Sequence, residues 1–213
     1  MTVLPSPEMF SLAWLGEVAS LIQTLIVSAA GIAGLWGINA WRRQLVGKRK
    51  AELAEVALTA IYEARDVFKW VRTGAFHTGE GESRKAEDGE GEQVRAMRNT
   101  YFIPIERLHR EKELFSRLHA QRYQFRAYFG DDAAKPFDAI SKVHNDLIIT
   151  SSVLVRQAQF DGASRAVASA RDNLLDDLGW GRRERPDDMD RLIDKAVANI
   201  EATCKPILEG RSA

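Results

Sequence analysis

The run VASLIQTLIVSAAGIAGLWGINAW, residues 18–41, lies between Glu17 and Arg42 and holds 24 residues without a charge. A hydrocarbon core about 30 Å thick is crossed by roughly 20 apolar residues rising about 1.5 Å each. Residues 18–41 are therefore predicted to form one transmembrane helix. The bases Arg42, Arg43, Lys48, Arg49 and Lys50 follow at once, with no acid among residues 42–50. Short basic flanks stay on the cytoplasmic side, which predicts the N-terminus outside and residues 42–213 inside.

Two other readings of the run fail on its own residues. A cleaved signal peptide needs a basic leader, a shorter apolar core and a small-residue cleavage site. Here residues 1–17 carry only Glu8 and Glu17 as charged side chains, and the bases come after the run. A core helix of a soluble domain is not expected to stay uncharged beyond about 18 residues. Trp14 and Trp41 suit the two membrane interfaces, where amphipathic rings collect. With Arg42, Arg43, Lys48, Arg49 and Lys50 they are the expected lipid contacts, each base contributing about 1 kcal/mol beside an anionic leaflet.

At about 100° per residue, Gln23, Ala30, Ala33, Gly34, Gly37 and Trp41 share one side of this helix, with Leu21, Leu25, Ile32, Leu35 and Trp36 opposite. In lipid, helices associate through close backbone approach and polar contacts. The pairs Ala30/Gly34 and Ala33/Gly37, with Gln23 on the same face, predict self-association there.

Beyond the membrane the chain has room for one domain with its own core. Lysine plus arginine number 30 and aspartate plus glutamate 30, so no overall field points to nucleic acid. The single cysteine, Cys204, excludes an intramolecular disulfide and fits a reducing compartment. Apolar residues recur at helical spacing through Ala54, Ala57, Leu58, Ile61, Ala64, Phe68 and Val71, so one helix is expected to run to about Arg72. Three heptads do not separate a bundle helix from a coiled coil.

Residues 73–92 contain five glycines among charged side chains and one large apolar residue, Phe76. Such composition predicts a disordered loop. Helical spacing returns after Pro104 with Ile105, Leu108, Phe115, Leu118, Phe125 and Phe129, ending at Gly130. A second stripe, Phe137, Ile140, His144, Leu147, Leu154 and Ala158, follows, with Pro136 placed in its first turn. A weaker helix at 163–178 closes at Gly179. A basic turn at 181–185 precedes a last stripe: Met189, Leu192, Ile193, Ala196, Ile200, Cys204 and Ile207. No stretch alternates with period two. The expected fold is all-α: a short external leader (1–17), the span (18–41) and a cytosolic bundle (42–213) of about four long helices plus short ones.

Residues suited to chemistry are few. Glu106 and His109 have the i, i+3 spacing of metal sites in bundles, but no second copy exists and both flank an apolar stripe. His144 lies on a stripe, where a buried imidazole can act as a switch but more often simply packs. Cys204 reads as a small core hydrophobe. Arg122, Tyr123, Phe125, Arg126 and Tyr128 mix bases with aromatics as single-strand binders do, yet they also make an ordinary amphipathic helix. There is no phosphate loop, dinucleotide fingerprint or nucleophile elbow. No catalytic, cofactor or metal site is expected.

The run 39–55, NAWRRQLVGKRKAELAE, with Tyr62-Glu-Ala-Arg-Asp, Pro104-Ile-Glu-Arg, Ala134-Lys-Pro-Phe and Cys204-Lys-Pro-Ile-Leu-Glu-Gly, resembles a group of uncharacterised bacterial single-pass membrane proteins with a cytosolic helical domain. That resemblance implies a bacterial inner-membrane location and assigns no activity. The expected function is a membrane-anchored interaction or scaffold module. Its expected partners are the lipid bilayer, copies of itself and another membrane or cytosolic protein; nucleic acid is not among them. The contrasting expectations are a metal protein or enzyme seeded at Glu106 and His109, and a lipid- or nucleic-acid-contacting module.

Overall fold

A computed structural model describes residues 7–160, 165–180 and 188–210. Among them there are six α-helices, one short 3-10 turn and no strand. The contacts divide the chain into two units, Met1–Arg49 and Lys50–Ala213.

The first helix, α1, runs Pro7–Val71 and contributes to both units. Proline suits a first helical position because its missing N–H is unneeded there. The helix therefore extends through residues 7–17 of the expected leader. Within the second unit, α1 turns Ala54, Ala57, Ile61, Ala64, Phe68 and Val71 inward, each no more than 1% exposed. The alanines carry no bulk beyond Cβ, so neighbouring helices can approach this face closely. Glu52, Glu55, Glu63 and Asp66 remain outward.

The rest of the second unit is α2 (Glu92–Arg110), α3 (Lys112–Phe129), α4 (Asp131–Gln157), α5 (Arg165–Leu178) and α6 (Asp188–Leu208). Central in this unit, α4 packs against α2, α3, α5 and α6. Its Phe137, Ile140, Leu147 and Leu154 are at most 2% exposed. Each such side chain contributes about 1.5–3 kcal/mol by leaving water. Ile193, Ala196, Ile200 and Cys204 of α6 complete the core. Phe68 of α1 meets Phe115 of α3 at 5.5 Å, and Tyr62 donates to the Glu201 carboxylate of α6.

Helix ends follow local chemistry. Gly130, at φ 89°, is the single residue between α3 and α4, and its N–H reaches the Arg126 carbonyl at 2.9 Å. Gly179, at φ 86°, closes α5 as expected. Its N–H bonds to Asp176 O at 2.9 Å and the Trp180 N–H to Leu175 O at 2.8 Å, the two bonds of a Schellman ending.

Two expectations are corrected. The helix expected after Pro104 starts at Glu92, with Pro104 inside it and buried. It then breaks at Glu111 (φ −98°, ψ 18°), so one expected helix is two. Tertiary burial offsets what an interior proline costs, about 3 kcal/mol in an isolated helix. Pro136 lies one turn deeper in α4 than expected, because the helix opens at Asp131.

Residues 73–92, expected to be a disordered loop, carry charged contacts at Glu80, Gly81, Arg84 and Glu90 that their composition did not announce. Glu80 has a side chain 5% exposed, held by Arg107, itself 1% exposed. The Gly81 N–H donates to Glu106 Oε2 at 2.6 Å. Arg84 reaches Glu90 at 2.5 Å and Asn99 at 3.0 Å. Arg98 of α2 reaches back to Glu87 at 2.6 Å and Glu90 at 2.8 Å. Phe76 packs edge-on against Trp180 at 4.9 Å. Counting apolar residues missed this segment because ion pairs, not apolar area, anchor it. The expected basic turn at 181–185 lies outside the described residues.

Candidate functional site

The first unit offers the feature with the clearest consequence. Its helix contains an 18-residue window of mean hydropathy 1.9, and none of that window is buried. By length and composition this is one helix able to cross a membrane. Leu21, Leu25, Trp36 and Trp41 are 63–74% exposed, so apolar side chains are exposed on opposite sides of the helix. A continuous apolar surface of this kind is what water excludes and lipid accepts.

Two of its hydroxyls are satisfied within the helix. Ser20 Oγ donates to the Glu17 carbonyl at 2.8 Å and Thr24 Oγ1 to the Ser20 carbonyl at 2.9 Å. Hydroxyls folded onto the preceding turn add little polarity to the helix surface. Gln23 is exposed on the small-residue side, along with Ala30, Ala33, Gly34 and Gly37. A Cβ added at Gly31, Gly34 or Gly37 would meet nothing within 4 Å.

Arg42, Arg43, Lys48 and Arg49 are exposed along the next turns of the same unit. Lys50 opens the second unit, half-buried, with its Nζ 5.7 Å from the Phe129 ring centroid. The side chain of Trp14 lies outside the described residues.

In the second unit the seeds of chemistry are drawn into structural contacts. Glu106 accepts from Arg110 at 2.5 Å and from the Gly81 N–H. Burial alone would raise its pKa, but hydrogen bonds from Arg110, Gly81 and Ser83 outweigh burial and lower it. No cluster of three or more His, Cys, Asp or Glu side chains suited to a metal occurs among the described residues. Arg122 pairs with Asp138 at 2.6 Å and Arg126 with Asp131 at 2.8 Å, so both bases are tied to α4 carboxylates. Cys204 is fully buried, and burial pushes its thiol up to about 12, far from the thiolate a nucleophile needs.

Sequence reasoning missed the paired charges that organise residues 73–92. The Arg107 guanidinium holds Glu80 at about 2, chiefly by hydrogen bonding. It also donates to the carbonyls of Trp70 (2.9 Å), Thr73 (3.1 Å) and Ala75 (2.7 Å). Its Cζ lies 5.1 Å from the Trp70 ring centroid and 5.8 Å from that of Phe76. The only available signal was placement: Arg107 directly precedes Leu108 on the apolar side of α2.

No protein-family model matches the chain, and no curated protein or solved structure is significantly similar to it.

Proposed function

We propose that this chain is a single-pass membrane anchor carrying a helical interaction module, acting as a homo-oligomeric scaffold without catalysis of its own. The observation that carries this reading is the apolar helix of the first unit, none of whose most apolar window is buried. The bases at 42–50 orient it with the second unit in the cytosol, and the resemblance noted above makes the membrane a bacterial inner membrane. Exposed Arg42, Arg43, Lys48 and Arg49 would then meet lipid head groups. Repetition through a membrane helix raises avidity for a partner without a new contact.

Self-association is the part open to a sharp test. A Cβ added at Gly34 meets nothing within 4 Å among the described residues, so Gly34→Leu is expected to leave the monomer undisturbed. In a helix pair it holds the backbones apart. Crosslinking in native membranes is expected to trap oligomer for wild type and for Ile32→Leu, and much less for Gly34→Leu. A wild-type chain that stays monomeric at native abundance overturns the scaffold reading.

A further inference from the structure

The helices α2, α3 and α4 border an open groove of about 500 Å3, within the size range of small-ligand sites. Its floor is apolar: Leu108, Leu118 and Ile140 are buried, and Phe115 is half-buried. The rim is sorted by charge. Of the chain's four histidines, His109, His119 and His144 all line this groove, and Lys112 joins them. Among the described residues no aspartate or glutamate lines it, although the chain carries 30 of them.

The flanking residues sharpen this sorting. Glu111 and Glu113, on either side of Lys112 in sequence, line a different groove with Glu63 and Asp66. Four other bases on these three helices are paired with acids: Arg110 with Glu106, Arg117 with Glu63, Arg122 with Asp138, and Lys142 with Asp146. Lys112 has no such ion pair among the described residues. It is also the first residue of the 18-residue α3, where the helix dipole favours negative charge. The His144 ring packs against Phe115 with centroids 4.3 Å apart and a 48° tilt, and imidazoles of α2 and α4, His109 and His144, border the same groove.

We propose that this groove binds a small amphipathic anion. Its carboxylate or phosphate head is held by Lys112, His109 and His144 at the start of α3. Its apolar body lies along Phe115, Leu118 and Ile140. The assignment concerns the second unit alone and stands or falls independently of the anchor reading. An anion without an apolar body leaves the floor wet, and a neutral molecule of the same shape leaves Lys112 without a partner.

The test uses the full chain in nanodiscs of neutral lipid, with ring-labelled histidine followed by NMR. The probes are 4-phenylbutyrate, its neutral counterpart 4-phenylbutanol, and inorganic phosphate. The expected result is a saturable shift of His109 and His144 signals with 4-phenylbutyrate, with His77, outside the groove, unmoved. Phosphate and the alcohol are expected to bind at least roughly tenfold more weakly, since a charge-assisted hydrogen bond and apolar burial are each worth a decade or more. Lys112→Ala, at an exposed side chain without an ion pair, is expected to keep the fold and lose roughly tenfold in affinity, and Lys112→Glu to abolish binding. Equal shifts from acid and alcohol overturn anion recognition. Equal affinity for phosphate overturns the apolar subsite. The absence of any saturable shift, or its persistence in Lys112→Glu, overturns the site.

Discussion

The guanidinium of Arg107 grips both carboxylate oxygens of Glu80, with Nη2 2.6 Å from Oε2 and Nε 3.1 Å from Oε1. The two residues are 27 apart in sequence, and their side chains are 1% and 5% exposed. Planar fork-to-carboxylate pairing supplies direction as well as charge. Because the same guanidinium binds three carbonyls of the 70–75 backbone, it ties the end of α1, the following segment and α2 together.

Removing one partner of such a pair strands the other charge. Arg107→Ala is therefore expected to destabilise the second unit by about 3–5 kcal/mol, measured by urea denaturation. Arg107→Lys should recover little of this, because an ammonium cannot span two oxygens and three carbonyls at once. Deleting 84–91 removes the Arg84, Glu87 and Glu90 side chains and leaves the 4%-exposed Arg98 without its acids. Its melting temperature should fall clearly. An unchanged value would favour the disordered-loop expectation.

Gly81 tests the same segment through its backbone. It sits at φ +83°, and a Cβ there would lie 2.0 Å from the Asn99 carbonyl oxygen. Gly81→Ala should cost at least about 1–3 kcal/mol and speed proteolysis of 73–92. Gly74→Ala, with open space and no positive φ, is the control that should behave as wild type.

Two titrations should appear at separate acid ranges. Glu80 is lowered from 4.5 to about 2, so its contribution is complete above 4.5 and is lost as pH falls toward 2. His144 is lowered from its ordinary 6.5, first by burial and further by His109; the groove also presents His119 and Lys112 to it. A lowered imidazole favours the neutral ring in the fold, so its contribution is complete above 6.5 and lost below. Stability profiles of Glu80→Gln and His144→Gln should each flatten in their own range. If His144→Gln keeps the wild-type slope below 6.5, the imidazole is not the group responsible.

Orientation gives an independent check on the anchor. With bases after the span and acids before it, a C-terminal tag should resist protease added to cells stripped of their outer barrier, and an N-terminal tag should be cut. Digestion of the C-terminal tag would reverse the topology.

Stripe positions were legible wherever burial follows from period alone. Ala54, Ile61, Phe68, Leu108, Leu147, Ile200 and Cys204 lie where helical spacing puts them, at most 1% exposed. Spacing misjudged His144, which stays half-buried while Val143 takes the interior position at 0%. A one-residue rotation of a stripe depends on which neighbour it meets, and no single helix records that.

By itself, the sequence determined that this protein is helical, that residues 18–41 are uncharged and apolar, and which edges of its helices turn inward. These are local properties: period, length and the absence of charge act within a few turns of one helix. Only the tertiary structure decided that Arg107 and Glu80 meet, that Pro104 is accommodated inside a helix, and that three histidines and Lys112 share a groove free of carboxylates. Those pairings join residues far apart in sequence, and burial determines their energies, since a charge is tolerated inside only when a distant partner arrives to match it.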